Sequence, residues 1–226
     1  VSWLLNIDTA VTSASVCLSR NDVKLGIKIN SSKNDHAAWL QPSIATLLRE
    51  HDLTVKNLDA ISVSAGPGSY TGLRVGMATA KGLCYAYQTP LILINTLQMM
   101  AAALTNETAD LLCPMIDARR MEVFTAVFDR SLKTILEPHN CVLSDHSFMN
   151  LLSEHRIVFF GNGSEKFKSM VFHPNAIFKQ LEVTAEQMVS LTYRSYVNKD
   201  FADLAYSEPL YGKEFFSPAF RKAKNI

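Results

Sequence analysis

The stretch that decides the fold is residues 64–83, SAGPGSYTGLRVGMATAKGL. It opens as a sharp strand-to-helix turn, Gly66-Pro67-Gly68-Ser69-Tyr70-Thr71, in which Gly66 and Gly68 supply backbone freedom that other residues lack. Ser69 or Tyr70 begins a helix that runs to about residue 87. Gly72, Gly76 and Ala80 recur every four residues, so one helical face carries almost no side chain and another backbone can approach it closely. Each glycine costs a soluble helix up to about 1 kcal/mol relative to alanine, so a packing benefit has to offset it. Between residues 71 and 87 the charged residues are Arg74 and Lys81 alone. A helix so apolar on nearly all sides is either buried in its own domain or half covered by a partner.

Working outward, residues 59–64 are a short apolar strand before the turn, and Pro90 admits a further apolar segment, LILIN, after the helix. Nearer the start, WLLNID and SVCLSR read as the two strands of a hairpin with Asp8 at its bend, and KLGIKIN alternates as a third strand. Asn34 or Asp35 caps a helix over residues 36–51, whose inward stripe is Ala37, Leu40, Ile44, Leu47 and Leu48. Trp39, Pro42 and Thr46 form a second line beside that stripe, so the two helices present one joint face. That face is either a buried helical layer or a protein–protein interface.

At residues 105–110, TNETAD interrupts the apolar pattern, and the opening theme then returns. LLCPMID ends in a carboxylate, ARRM turns, and EVFTAVFDR alternates as a returning strand, so Asp117 stands where Asp8 stood. The repeat predicts a duplicated α/β architecture, with a lobe at 1–104 and a second, reduced lobe at 105–226; a chance second hairpin is the alternative. IVFFGNGSEKF reads as strand, glycine turn and helix start, residues 185–195 as a helix, and the end as a partly ordered tail.

Across 226 residues, 22 Lys plus Arg against 21 Asp plus Glu leave a net charge of +1, with 48% hydrophobic and 19% charged residues. That balance lacks the footprint of a chain supplying most of the phosphate contacts to nucleic acid, so an RNA role would be shared. No signal peptide is visible, and no stretch reaches the roughly 18–20 apolar residues that span a bilayer. A soluble, cytoplasmic chain is expected, with Cys17, Cys84, Cys113 and Cys141 as reduced, mostly buried thiols. The six histidines show no i, i+3 or i, i+4 pair, and no G-x-S-x-G elbow occurs, so neither a metal site nor a catalytic nucleophile is supported. Lys213, Arg221, Lys222 and Lys224 near the end read as a solvated tail.

Carboxylates at hairpin bends and glycine turns at strand-to-helix junctions are the parts from which sugar-kinase, Hsp70 and actin-type folds build a nucleotide cleft. A nucleotide site here would draw on Asp8, Thr9 and Asp117. Such hairpins need glycine beside the phosphates, yet Ala10 and Val11 follow Thr9, while Ala118, Arg119 and Arg120 follow Asp117. The site reads as degraded or absent, and bracing a tight turn is an equal reading of both aspartates.

Taken together, NIDTAVTSASVCLS, SAGPGSYTGLRVGMATAKGL and PMIDARRMEVFTAVF resemble the bacterial TsaB (YeaZ) family of tRNA threonylcarbamoyladenosine biosynthesis proteins. These are paralogues of the catalytic subunit TsaD, once labelled a glycoprotease or M22 peptidase. The resemblance implies a two-lobed actin-like ATPase fold with a mixed sheet in each lobe. It also implies a non-catalytic subunit that activates TsaD through its first two helices in a heterodimer, with the ATPase TsaE joining a larger complex. On this chain the interface would take Ala37, Ala38, Trp39, Leu40, Gln41 and Leu48 from the first helix. The second would supply Gly72, Leu73, Gly76, Met77, Ala80 and Leu83. The isolated chain can use the same face to homodimerise. The resemblance implies no cofactor for this chain alone, ATP only in the complex, and indirect contact with tRNA, which is modified next to the anticodon. Where TsaD carries two metal-binding histidines spaced H-x-x-x-H, this chain has Thr96 and Met100, which argues against TsaD chemistry and protease activity. The family's E-P-x-Y-L-R ending appears as Glu208-Pro209-Leu210-Tyr211-Gly212-Lys213. The rival expectations are a small-molecule kinase or ATPase of the same fold, and a protease.

Overall fold

Alternating apolar residues pair WLLNID with ASVCLSR as a hairpin of β1 (Trp3–Asp8) and β2 (Ala14–Arg20), with Trp3 opposite Arg20 and Asp8 opposite Ser15. In the computed structural model, which describes residues 1–30, 32 and 35–212, β3 (Val23–Asn30) adds antiparallel to β2. On the other side β4 (Ala60–Ser64) and β5 (Leu91–Ile94) add in parallel, giving the order β3-β2-β1-β4-β5. The crossovers are α1 (His36–Arg49) and α2 (Tyr70–Tyr87), and α3 (Thr96–Ala102) follows β5.

The second half repeats this plan. Its strands are β6 (Leu111–Asp117), β7 (Glu122–Asp129), β8 (Thr134–Val142), β9 (Ile157–Phe160) and β10 (Ala176–Lys179). They lie in the order β8-β7-β6-β9-β10, antiparallel on one side of β6 and parallel on the other. The short helices α4 (Met149–Leu152) and α5 (Ser164–Lys168) occupy the crossover positions, and α6 (Val189–Asn198) follows a 3-10 turn at Ala185–Met188. The duplication read from one hairpin therefore extends to both sheets.

Successive side chains on a strand face opposite sides, and this splits the core into layers. Leu5, Ile7 and Leu18 pack under Leu40, Ile44 and Leu47 of α1 and Met77 and Ala80 of α2. Leu4, Ile92 and Ile94 face the opposite way, into a middle layer shared with Met100, Leu112, Phe124, Phe160 and Leu191. Phe159, Phe167 and Leu152 close the far side of the second sheet.

Between Ala185 and Leu210 the chain returns to the first sheet. Ala185 N donates to Ser15 Oγ at 2.8 Å, and Thr192 Oγ1 donates to Ser62 Oγ at 2.8 Å. Ala202 N then donates to Leu91 O, and Leu210 N to Ala65 O. Ser62 Oγ in turn donates to Asn6 Oδ1, whose amide reaches Cys17 O, so buried polar groups latch α6 onto the sheet. One expectation needs correction: Ala37 is exposed rather than part of the core stripe, since it lies in the first turn of α1. Asp35 occupies the N-cap without a side-chain hydrogen bond, and the alternative cap, Asn34, lies outside the described residues, as do Lys213, Arg221, Lys222 and Lys224. Among the described residues no helix is long and apolar enough to cross a membrane.

Candidate functional site

The β1 strand delivers Asp8 to a fully buried bend, where Ser64 Oγ and Ala10 N both donate to its Oδ1, at 2.6 and 3.0 Å. Its Oδ2 has no hydrogen-bond partner among the described residues. Burial pushes this carboxyl up to about 6, outweighing the two hydrogen bonds that favour its charged form. Next to it, Thr9 Oγ1 donates to Gly72 O at 2.7 Å. A Cβ at Gly72 would overlap the Thr9 carbonyl oxygen, and one at Gly76 would overlap Thr9 Oγ1. The small-residue face of α2 is thus filled by the chain's own hairpin.

The glycine turn is equally occupied. Ser69 N donates to Ala10 O on one side, while Gly66 and Thr96 exchange hydrogen bonds, Gly66 N to Thr96 Oγ1 and Thr96 N to Gly66 O. Gly66 has a φ of 109° and meets Leu210 O where a side chain would stand. Ser69 caps α2 by accepting from Gly72 N at 3.3 Å. The Tyr70 and Tyr211 rings pack tilted at 38° with centroids 4.9 Å apart, and the Arg74 guanidinium lies 5.0 Å over Tyr70. Pro67 is buried and Thr71 exposed.

Asp117 repeats the turn-bracing device at the surface. Its Oδ1 accepts from Arg119 N at 2.6 Å and from Lys166 Nζ at 2.7 Å. Partial burial works to raise this carboxyl, but the Lys166 hydrogen bond, the Arg119 N–H and the nearby cations win and hold it below its ordinary value. Between the lobes lies a cleft of about 230 Å³, lined by Val11, Met100, Asn162, Glu165, Glu182 and neighbours. Among its described lining residues the charged side chains are Glu165 and Glu182, and neither Asp8 nor Asp117 lines it. Thr96 and Met100 are buried, the first against Gly66 and the second in the middle layer.

The sequence placed interface residues on both faces of the helices, and packing separates them. Leu40, Leu48, Gly72, Leu73, Gly76, Met77 and Ala80 are buried within this chain, Gly72 and Gly76 against Thr9. Trp39 and Leu83 are half-buried, while Ala37, Ala38 and Gln41 are exposed. The open surface continues through Pro42 and Ala45 on α1 and Arg74, Ala78, Gly82 and Tyr85 on α2. Tyr85 is 81% exposed, and a Cβ at Gly82 would meet nothing within 4 Å. The spacing Ala78-x-x-x-Gly82 was the available signal for this outer face.

Compared with known families, residues 18–209 match the one described as TsaD, tRNA N6-adenosine threonylcarbamoyltransferase. The tRNA threonylcarbamoyladenosine biosynthesis protein TsaB of Bacillus subtilis is 29% identical over 171 residues, 74% of each chain. The protein of the same name from Escherichia coli is 27% identical over 217 residues, 92% of this chain and 93% of its own. Among solved structures, YeaZ from Pseudomonas aeruginosa has a TM-score of 0.80 at 25% identity, covering 93% of this chain and 100% of its own. The shared fold is two five-stranded mixed sheets with packed helices.

Proposed function

The chain belongs to the family described as TsaD, tRNA N6-adenosine threonylcarbamoyltransferase, and from that membership we infer that it serves tRNA threonylcarbamoyladenosine biosynthesis as the non-catalytic partner of a TsaD-type subunit. The observation that carries the reading is the outer face of α1 and α2. Gly82 stands in the interior of a solvated helix with open space around it, where alanine would stabilise the monomer. Ala38, Ala45 and Ala78 keep the same surface low, and Tyr85 stands beside them as a large anchor. Low side chains let partner helices approach to close interaxial distance, and a rigid aromatic contributes area at small entropic cost.

The inner machinery of the chain supports a scaffold. Asp8 and Asp117 brace their own turns, and the glycine turn is enclosed by the hairpin, Thr96 and Leu210. In this reading ATP is handled in the larger assembly, with a TsaE-type ATPase, and this chain needs no cofactor of its own. Alone, it pairs with a second copy through the same helices. The test is reconstitution of threonylcarbamoyl-tRNA synthesis from purified pathway proteins. Product that depends on this chain, and is lost with the Gly82→Leu variant, is expected; full activity without the chain would overturn the reading.

A further inference from the structure

We propose that the tip of the β6–β7 hairpin, Arg119 and Arg120, binds the phosphodiester backbone of the RNA substrate directly. This rests on the assignment to tRNA modification and goes beyond the indirect contact that the resemblance implies. Both arginines are exposed, and both hold left-handed backbone, with φ of 68° and 49°. That region suits glycine or asparagine, and a longer side chain there costs steric energy. The matching bend of the first lobe, residues 9–13, contains no positive φ. Two successive left-handed residues are therefore not inherent to the repeated unit, and the sequence places its least accommodating choice, two long cations, at the apex.

The turn beneath them is held on every side. Asp117 N donates to Asn162 Oδ1 at 2.8 Å, and Asp117 Oδ1 accepts from Arg119 N. Lys166 Nζ donates to Asp117 Oδ1 and Glu122 O, and Glu122 N returns to Arg119 O. Lys166 neutralises Asp117, so the carboxylate at the base does not cancel the charge at the apex. Among the described residues neither guanidinium makes a hydrogen bond or salt bridge, and the charge of Arg119 helps to lower Asp117. Two unspent planar forks on a rigid base match what phosphate oxygens require, because a guanidinium offers paired parallel donors and keeps its charge. Met121, 43% exposed, flanks the two arginines, so the apex presents two guanidinium groups beside one large apolar side chain. The chain's net charge of +1 fits a subunit that adds a few such contacts to those of its partner.

The experiment measures binding of an unmodified tRNA transcript to the preformed complex with the TsaD-type subunit, across a KCl series. The variant is Arg119→Asn with Arg120→Gly, residues that fit the left-handed turn, so its Tm should match or exceed the wild type's. The expected result is an affinity loss of about tenfold, with the slope of log K against log salt reduced by about 1.4–1.8 for two phosphate contacts. Arg119→Lys with Arg120→Lys should keep most of the slope while losing part of the affinity. Unchanged affinity and slope would overturn the proposal. So would loss of the protein complex itself in the variant, since the arginines would then be contacting protein. If the wild-type chain forms no complex, the partner assignment fails instead, and the same slope comparison on the chain alone still decides this one.

Discussion

Replacing Gly72 or Gly82 by alanine makes the same chemical change ten positions apart on one helix, and the two changes should act in opposite directions. At Gly72 the new methyl would overlap the Thr9 carbonyl oxygen and stand 3.1 Å from its carbon, both backbone atoms of a buried bend. Overfilling such a site costs about 1–3 kcal/mol, and a backbone obstacle places it at the upper end. Helix propensity returns less than about 1 kcal/mol in the first turn, leaving a net loss of about 2 kcal/mol. At this chain length that lowers Tm by about 4–8 °C. At Gly82 nothing stands within 4 Å, so alanine should add about 0.5–1 kcal/mol by propensity alone. Urea unfolding followed by far-UV circular dichroism reads both. A stabilised Gly72→Ala, or shifts of the same sign at both positions, would refute the division of α2 into an occupied and an open face.

Asp8 gives a pH signature. Its folded-state pKa of about 6 lies above the ordinary 3.8, so ionisation favours the unfolded chain. The penalty is absent below about pH 4, grows as pH rises through the 4–6 window, and levels above it at about 3 kcal/mol. Asp8→Asn removes this term but leaves an amide donor where Oδ2 lacks a hydrogen-bond partner among the described residues, so it should be the less stable protein at pH 4 and recover against wild type by pH 7. A stability difference that stays constant between those pH values would show that Asp8 is not titrating in a buried site. Thiol labelling offers another check: burial pushes Cys17, Cys84 and Cys113 up to about 12, while Cys141 is only half-buried. In native buffer Cys141 should react first, with the other three requiring denaturant, and rapid modification of all four would contradict the buried placement.

Much of the frame was legible because period-two alternation and glycine punctuation are local signals. WLLNID, SVCLSR and their echo around Asp117 declared both hairpins, and SAGPGSYTG declared the junction of β4 and α2. The edge strand β8 was not anticipated, since TILEPHNCV carries Pro138 and mostly exposed residues and so lacks a buried alternating face. With seven residues α3 is too short to display a helical stripe, and β10 is four residues. The spacing of Gly72, Gly76 and Ala80 left open whether a neighbour within the chain or a partner comes close, and Thr9 of the same chain lies against Gly72 and Gly76. Gly82, Ala78 and Tyr85 were passed over because exposure is a property of the folded surface.

The central claim is that the outer face of α1 and α2 receives a TsaD-type subunit. The most direct measurement is size-exclusion chromatography with light scattering on that subunit mixed with wild-type chain or with the Gly82→Leu variant, circular dichroism confirming that both are folded. A stable complex with the wild type, absent with the folded variant, is the predicted result. A complex of undiminished stability with Gly82→Leu, or none with the wild type, would contradict it.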